Sequence, residues 1–231
     1  MKALSLVAAA VEAEPSSIAS SPLPMMGLLA LMALIPFAIV MLTSFSKIVV
    51  VLSIARSALG TQQAPPTMVL TGLAAVLSAH IMTPVAERMY EAGTAAYTQT
   101  ASTTQVLAGA TAVAQPMREF LIKHGSAEER ARFADLAREL RPEADSKLVS
   151  EEDLTVIVPA FVLTELKEAF IIGFLIFLPF LVLDMLVANV LLALGMQTLS
   201  PSQVSLPFKI LLFVAVDGWA LLSRGLILGY R

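Results

Sequence analysis

Thr155–Tyr230 reads TVIVPAFVLTELKEAFIIGFLIFLPFLVLDMLVANVLLALGMQTLSPSQVSLPFKILLFVAVDGWALLSRGLILGY, and its strongly ionised residues are Glu165, Lys167, Glu168, Asp184, Lys209, Asp217 and Arg224. A charge inside an apolar span is costly unless it is paired, hydrated or turned towards other protein. A simple membrane anchor would carry none of these charges, and a soluble domain would carry many more. The pattern predicts apolar helices that pack mainly against protein, inside or beside a bilayer.

The rest of the chain agrees. Its 231 residues are 57% hydrophobic and 14% charged, and the mean hydropathy is +0.81. Soluble domains usually carry about a quarter charged residues. A net charge of −3 without a basic, aromatic-rich patch argues against nucleic acid as a partner. With no cysteine, disulfides, thiolate zinc sites and iron–sulfur centres are excluded.

Four apolar stretches flank one polar insert. Residues 1–24 form a leader with two readings. In one it is a secretory signal, with Lys2, the short apolar run Ala3–Val11 and a Val11-Glu12-Ala13 cleavage-like site; in the other it is an uncleaved leader. Met25–Leu42 is uncharged and long enough to span a bilayer. It continues almost unbroken to Ala55, which predicts one long helix kinked at Pro36. Gly60-Thr61-Gln62-Gln63-Ala64-Pro65-Pro66 then forces a turn. Thr67–Val85 returns, closing a first apolar hairpin over 25–85, with Lys47 and Arg56 towards its tip.

The insert 86–153 holds eight basic and twelve acidic residues, a net of −4. Ser126-Ala127-Glu128-Glu129 predicts a capping box opening a helix through Leu140, and Ser150-Glu151-Glu152-Asp153 a second one before Leu154. Residues 154–231 form the second apolar hairpin, with a loop over 195–207. The fold class expected is all-α and membrane-associated: two apolar helical hairpins joined by a small polar helical insert. Lys47 and Arg56 place the first tip on the cytoplasmic side and the insert in the periplasm.

Particular residues carry a family resemblance. PFAIVMLTSFSKIVVVLSIARSALGTQQAPPTMVLTGLA (36–74), IVPAFVLTELKEAFIIGFLIFLPFLVLDMLVANVLLALGM (157–196) and SLPFKILLFVAVDGWALL (205–222) resemble the FliP/SctR family of type III secretion export-apparatus proteins. ANVLLALGM and LSP-x-x-x-SLPFK lean towards the injectisome branch rather than the flagellar one. The resemblance implies about five copies assembling with small two-helix subunits and one larger single-copy subunit. It implies a bacterial inner-membrane location and a conical portal through which unfolded secreted proteins pass. No cofactor is implied.

In the family a run of methionines after the glycine of LGM projects into the pore as a flexible gasket. Here Met196 is followed by Gln197 and Thr198, so the resemblance implies a wetter ring, with Leu194 and Leu199 available to compensate. Glu165, Asp184 and Lys209 read either as a proton relay or as buried ion pairs that fix register, and the second reading is favoured. Lys209 is expected to pair with Glu165 or Asp184. Lys47 and Arg56 read as contacts to a cytoplasmic partner or as ordinary snorkelling.

His80 and His124 are the only histidines, and neither has a second metal ligand nearby in sequence. The chain shows no G-x-S-x-G, no H-E-x-x-H and no phosphate-cradling glycine loop, so an enzyme is not expected. Two other classes compete with the pore subunit. One is a small-solute transporter or ion channel using Glu165, Asp184 and Lys209; the other is an assembly scaffold that lines no pore. Internal symmetry between halves, usual in transporters, is absent.

Overall fold

A computed structural model of the chain describes residues 22–61, 64–97, 103–146, 148–196 and 198–231, so the leader reading lies almost wholly outside the described residues. Every regular element among the described residues is helical: α1 (Pro22–Leu42), α2 (Phe45–Ala58), α3 (Thr67–Tyr97), α4 (Thr103–His124), α5 (Ala127–Glu139), α6 (Glu143–Ser146), α7 (Leu154–Ala193), α8 (Pro201–Ala215) and α9 (Gly218–Leu228). α1, α3 and α7 are each long and apolar enough to cross a membrane. α8 and α9, bent by 58° at their junction, could make a fourth span.

The expected single kinked helix is two helices. Pro36 lies inside α1 without ending it, since it costs one backbone bond and a local clash. The break falls at Thr43–Ser44, where hydroxyls compete for the backbone. Thr43 Oγ1 accepts the Phe45 N–H at 3.3 Å. Fully buried Ser44 donates to Ser78 Oγ at 3.0 Å, tying the start of α2 to α3.

Two compact units emerge. The first comprises residues 1–42 and 83–123. Within it the end of α3 and α4 form an antiparallel pair: Arg88 reaches Glu119 at 3.4 Å, and a Cβ on Gly93 would lie 3.5 Å from Val113. α3 runs unbroken from Thr67 through Pro84 to Tyr97, so the insert has no structural border at 86.

The second unit comprises residues 43–82 and 124–231, and α7 is its axis. α2 runs parallel to α7, with Lys47 at the level of Glu165, Ile54 at Gly173, and Ala58 and Leu59 at Phe180. α8 and α9 return antiparallel: Lys209 meets Asp184, Phe213 meets Phe180, and Tyr230 reaches Glu165. Phe213 packs edge-on to Trp219 at 5.1 Å, and Ile176, Phe177 and Leu222 close this apolar layer.

α5 docks on the first turns of α7, but not through the predicted capping box. Ser126 is the N-cap, yet its side chain caps nothing. Its N–H donates instead to Thr164 Oγ1 at 3.0 Å. Glu129, which would have reached back to that N–H, is buried 3.7 Å from Lys167 and 3.6 Å from Arg132. The second signal also differs. Asp153 is the N-cap of α7, and its carboxylate accepts the Ser150 N–H at 3.1 Å, making a turn ahead of the helix.

At Gly173 α2 packs so closely on α7 that there is no room for a side chain. A Cβ there would sit 2.4 Å from Ile54 Cδ1 and 3.0 Å from Ile54 Cβ, so the stiff isoleucine would have to move. Gly173→Ala is expected to lower stability by about 1–3 kcal/mol. Adding Ile54→Ala should recover much of that loss, because the clash is pairwise. Thermal unfolding of the detergent-solubilised protein, compared across the four members of this cycle, checks it; simple additivity would exclude the contact.

Candidate functional site: two buried ion pairs and the turn after α7

Lys47 stands on the first turn of α2, at the opposite end of that helix from the Gly60–Pro66 turn, and is only 5% exposed. The reason is the break at Thr43–Ser44, which gives α2 its own start and turns this side chain onto α7. Its ammonium lies 3.3 Å from Glu165 Oε1 and 2.5 Å from Glu168 Oε2. It also sits 4.6 Å from the centroid of the Tyr230 ring, a cation–π contact. Glu165 is 1% exposed and takes its second hydrogen bond from the Tyr230 hydroxyl. Burial, then the neighbouring Glu165 carboxylate, hold the Tyr230 phenol well above its usual range. It therefore remains a donor. The His124 ring packs on Tyr230 at 5.0 Å.

Arg56, the other residue expected at the tip, is at the turn. Its guanidinium donates to Thr67 Oγ1 at 2.9 Å and to the Pro65 carbonyl at 3.4 Å, stapling the end of α2 to the start of α3.

The second pair lies at the far end of α7. Lys209, 3% exposed, contacts Asp184 Oδ2 at 2.6 Å, and buried Ser205 donates to Asp184 Oδ1 at 2.5 Å. Of the two partners open to Lys209, the structure brings up Asp184, while Glu165 goes to Lys47. The Lys209 ammonium also donates to the Ala58 carbonyl at 3.4 Å, so it caps the negative end of α2 from another helix. Gly60, at φ +76°, lets the chain turn away there, and a Cβ on it would stand 3.8 Å from the same ammonium. The two pairs are separated by roughly 28 Å along α7. They do not meet at one site.

Between α7 and α8 the chain makes a self-contained turn. Gly195, at φ +72°, follows the last helical residues, its N–H donates to Leu192 O at 3.1 Å, and the Met196 N–H donates to Leu191 O at 2.9 Å. This is the Schellman arrangement, which satisfies the carbonyls a helix end leaves open. α8 then starts at Pro201, with Ser200 as N-cap, because proline at a helix's first position loses no needed donor. The turn is therefore shorter than the expected 195–207 loop. Leu194, Met196, Thr198 and Leu199 are exposed, and Gln197 lies outside the described residues.

Tyr230 and Ser205 were not anticipated. Each completes the hydrogen bonding of a buried carboxylate, and the usable signal was the demand of Glu165 and Asp184 for a second donor. His80 is exposed on α3. No group of three or more histidine or acidic side chains poised for a metal ion occurs among the described residues.

A model of the FliP family matches residues 28–226. The chain is 48% identical over 201 residues to the hypersensitivity response secretion protein HrcR of Ralstonia nicotianae, covering 86% of this chain and 93% of the relative. It is 42% identical over 205 residues to the Yop proteins translocation protein R of Yersinia pestis, covering 87% and 93%. Identity to the flagellar biosynthetic protein FliP of Caulobacter vibrioides is 40% over 207 residues, covering 90% and 76%.

Lys209→Met should strand Asp184 and uncap α2, destabilising the protein by about 3–5 kcal/mol. The exchange Lys209→Asp with Asp184→Lys should regain only part, since the Ala58 carbonyl would then face a shifted donor. Yield and unfolding temperature of the purified variants measure both effects; a stable Lys209→Met would show that the pair contributes nothing.

Proposed function

The chain belongs to the FliP family, and from that premise we propose that it is a core pore-forming subunit of a type III secretion export gate. Family members are export-apparatus components. In this reading about five copies, with the small two-helix subunits and the larger single-copy subunit, build the entry portal for unfolded secreted proteins. The assembly belongs to the bacterial inner membrane, with the polar insert in the periplasm. Identities to secretion relatives (40–48%) and to flagellar ones (40–41%) overlap, so the injectisome reading rests on ANVLLALGM and LSP-x-x-x-SLPFK.

The observation that carries the pore role is the turn after α7. It is uncharged, its first residues satisfy the last carbonyls of α7, and it presents Leu194, Met196 and Leu199 without burying them in their own chain. A ring of such turns would hold back ions by dewetting when closed, yet grip a passing polypeptide only weakly. Met196 supplies the adaptable thioether, and Gln197 and Thr198 make the ring wetter than methionines would.

The transporter reading is disfavoured by the engagement of Glu165, Asp184 and Lys209 in two separate pairs rather than one convergent site. The scaffold reading is separated by experiment. Deleting Met196–Thr198 should raise resting ion leak several-fold in cells carrying the assembled gate. Replacing Gln197 and Thr198 by methionine should lower leak without blocking secretion. Ion flux across the inner membrane is the measurement, and unchanged leak in the deletion would assign the seal to another subunit.

A further inference from the structure

The α7–α8 hairpin is fastened at its base and bare at its tip. Among the described residues of 185–204 only Leu191 is buried, and those from Leu194 to Ser200 are all exposed. The tip therefore has few contacts of its own to decide where it stands. Asp184 lies well before the last residue of α7, Ala193, which puts it about 14 Å below the turn.

Ser205 is fully buried at that base, one turn into α8. Its hydroxyl lies 2.5 Å from Asp184 Oδ1 and 3.2 Å from the Ser202 carbonyl, so both α7 and the first turn of α8 engage it. Ser202 in turn meets Ser200, the N-cap of α8, hydroxyl to hydroxyl at 3.0 Å. Lys209, a further turn along, holds the other oxygen of Asp184 at 2.6 Å and donates to the Ala58 carbonyl at 3.4 Å. A polar chain thus runs from the end of α2 through Lys209, Asp184 and Ser205 to the residue at which the turn ends.

The two donors to Asp184 do different things. An ammonium on a long flexible stem can meet a carboxylate over a range of positions. A hydroxyl on a single carbon cannot, and its bond to a carboxylate is short and directional. Lys209 supplies attraction, and Ser205 supplies register between α8 and α7. The neighbouring side chains do not take over that task. Leu206 leans on the α2–α3 turn, where a Cβ on Gly60 would stand 3.7 Å from it, and Pro207 and Phe208 are exposed.

We infer that Ser205 is a positioning residue for the turn that seals the gate: its bond to Asp184 sets where the α7–α8 tip stands, and losing it lets the seal drift while the Lys209 pair survives. This rests on the export-gate reading and adds how the seal of that gate is held in place.

The chain has no cysteine, so two spin labels can be introduced without background. Labels at Phe174→Cys on α7 and Leu199→Cys on the turn, both exposed positions, report the tip against the shaft. Labelled chain is diluted with unlabelled chain in the assembled complex, so that only the distance within one copy is read. Ser205→Ala should about double the width of that distance distribution, since one charge-assisted bond no longer holds α8. Without the labels, the same change should raise resting ion leak several-fold at unaltered complex yield. Ser78→Ala also removes a buried hydroxyl bond, at the start of α2, and should alter neither readout.

An unbroadened distribution in Ser205→Ala overturns the assignment. So does equal broadening in Ser78→Ala, which would mean that any lost buried hydroxyl loosens the chain. A broadened distribution with unchanged leak would show a displaced turn that seals nothing; it overturns the export-gate reading of that turn, and the role of Ser205 in the seal with it.

Discussion

An ammonium group taken out of water needs a carboxylate and further hydrogen bonds to hold it there, and this need is met at both ends of α2. Lys47 on its first turn is received by Glu165 and Glu168 of α7. The last carbonyls of α2 are met by Lys209 of α8, itself held by Asp184. Desolvating such ions costs several kcal/mol each, so the arrangement is favourable only with the remaining lone pairs filled. Tyr230 and Ser205 fill them. Between the two ends Gly173 removes the one side chain that would keep α2 off α7. Register along the whole second unit follows from these contacts.

The distribution of polarity is the reverse of a soluble protein's. Lys47, Glu165 and Lys209 are buried and paired, while Phe170, Phe174, Leu175, Met185, Leu186 and Val190 of α7 remain outside. Apolar area on that scale calls for lipid or other protein as cover. Internal neutralisation makes either cover acceptable, because few ions have to be matched by what comes next. A subunit of this kind can join an assembly by shape and apolar contact, with polarity deciding only a few positions.

Much of this was legible from residues. Helical class, the apolar stretches, the polar insert and the isolated charges of the second hairpin follow from hydropathy and from the rarity of ions in such sequence. The pairing was less accessible. Lys47 and Glu165 lie 118 positions apart, and nothing local says which carboxylate a lysine will meet. The start of α2 was missed because Pro36 is a louder signal than Thr43–Ser44, although hydroxyls bonding to nearby backbone end a helix more effectively here. The first capping signal failed for a tertiary reason: Thr164 offered the Ser126 N–H an acceptor, and Lys167 offered Glu129 a cation, whereas at the second Ser150 and Asp153 bond locally one turn ahead of α7. The end of α7 was readable, since Gly195 followed closely by Pro201 is a local matter.

The cap on α2 has a consequence for how the chain is made. Lys209 reaches the Ala58 carbonyl across 151 positions of sequence, and Tyr230 reaches Glu165 from the far end of the chain. A ribosome delivers α2 long before either arrives. Until then the last carbonyls of α2 go uncapped, and Glu165, already facing Lys47, lacks its second donor. Contacts so distant form slowly and late. The cap on α2 and the second donor to Glu165 therefore arrive only with residues 209–230.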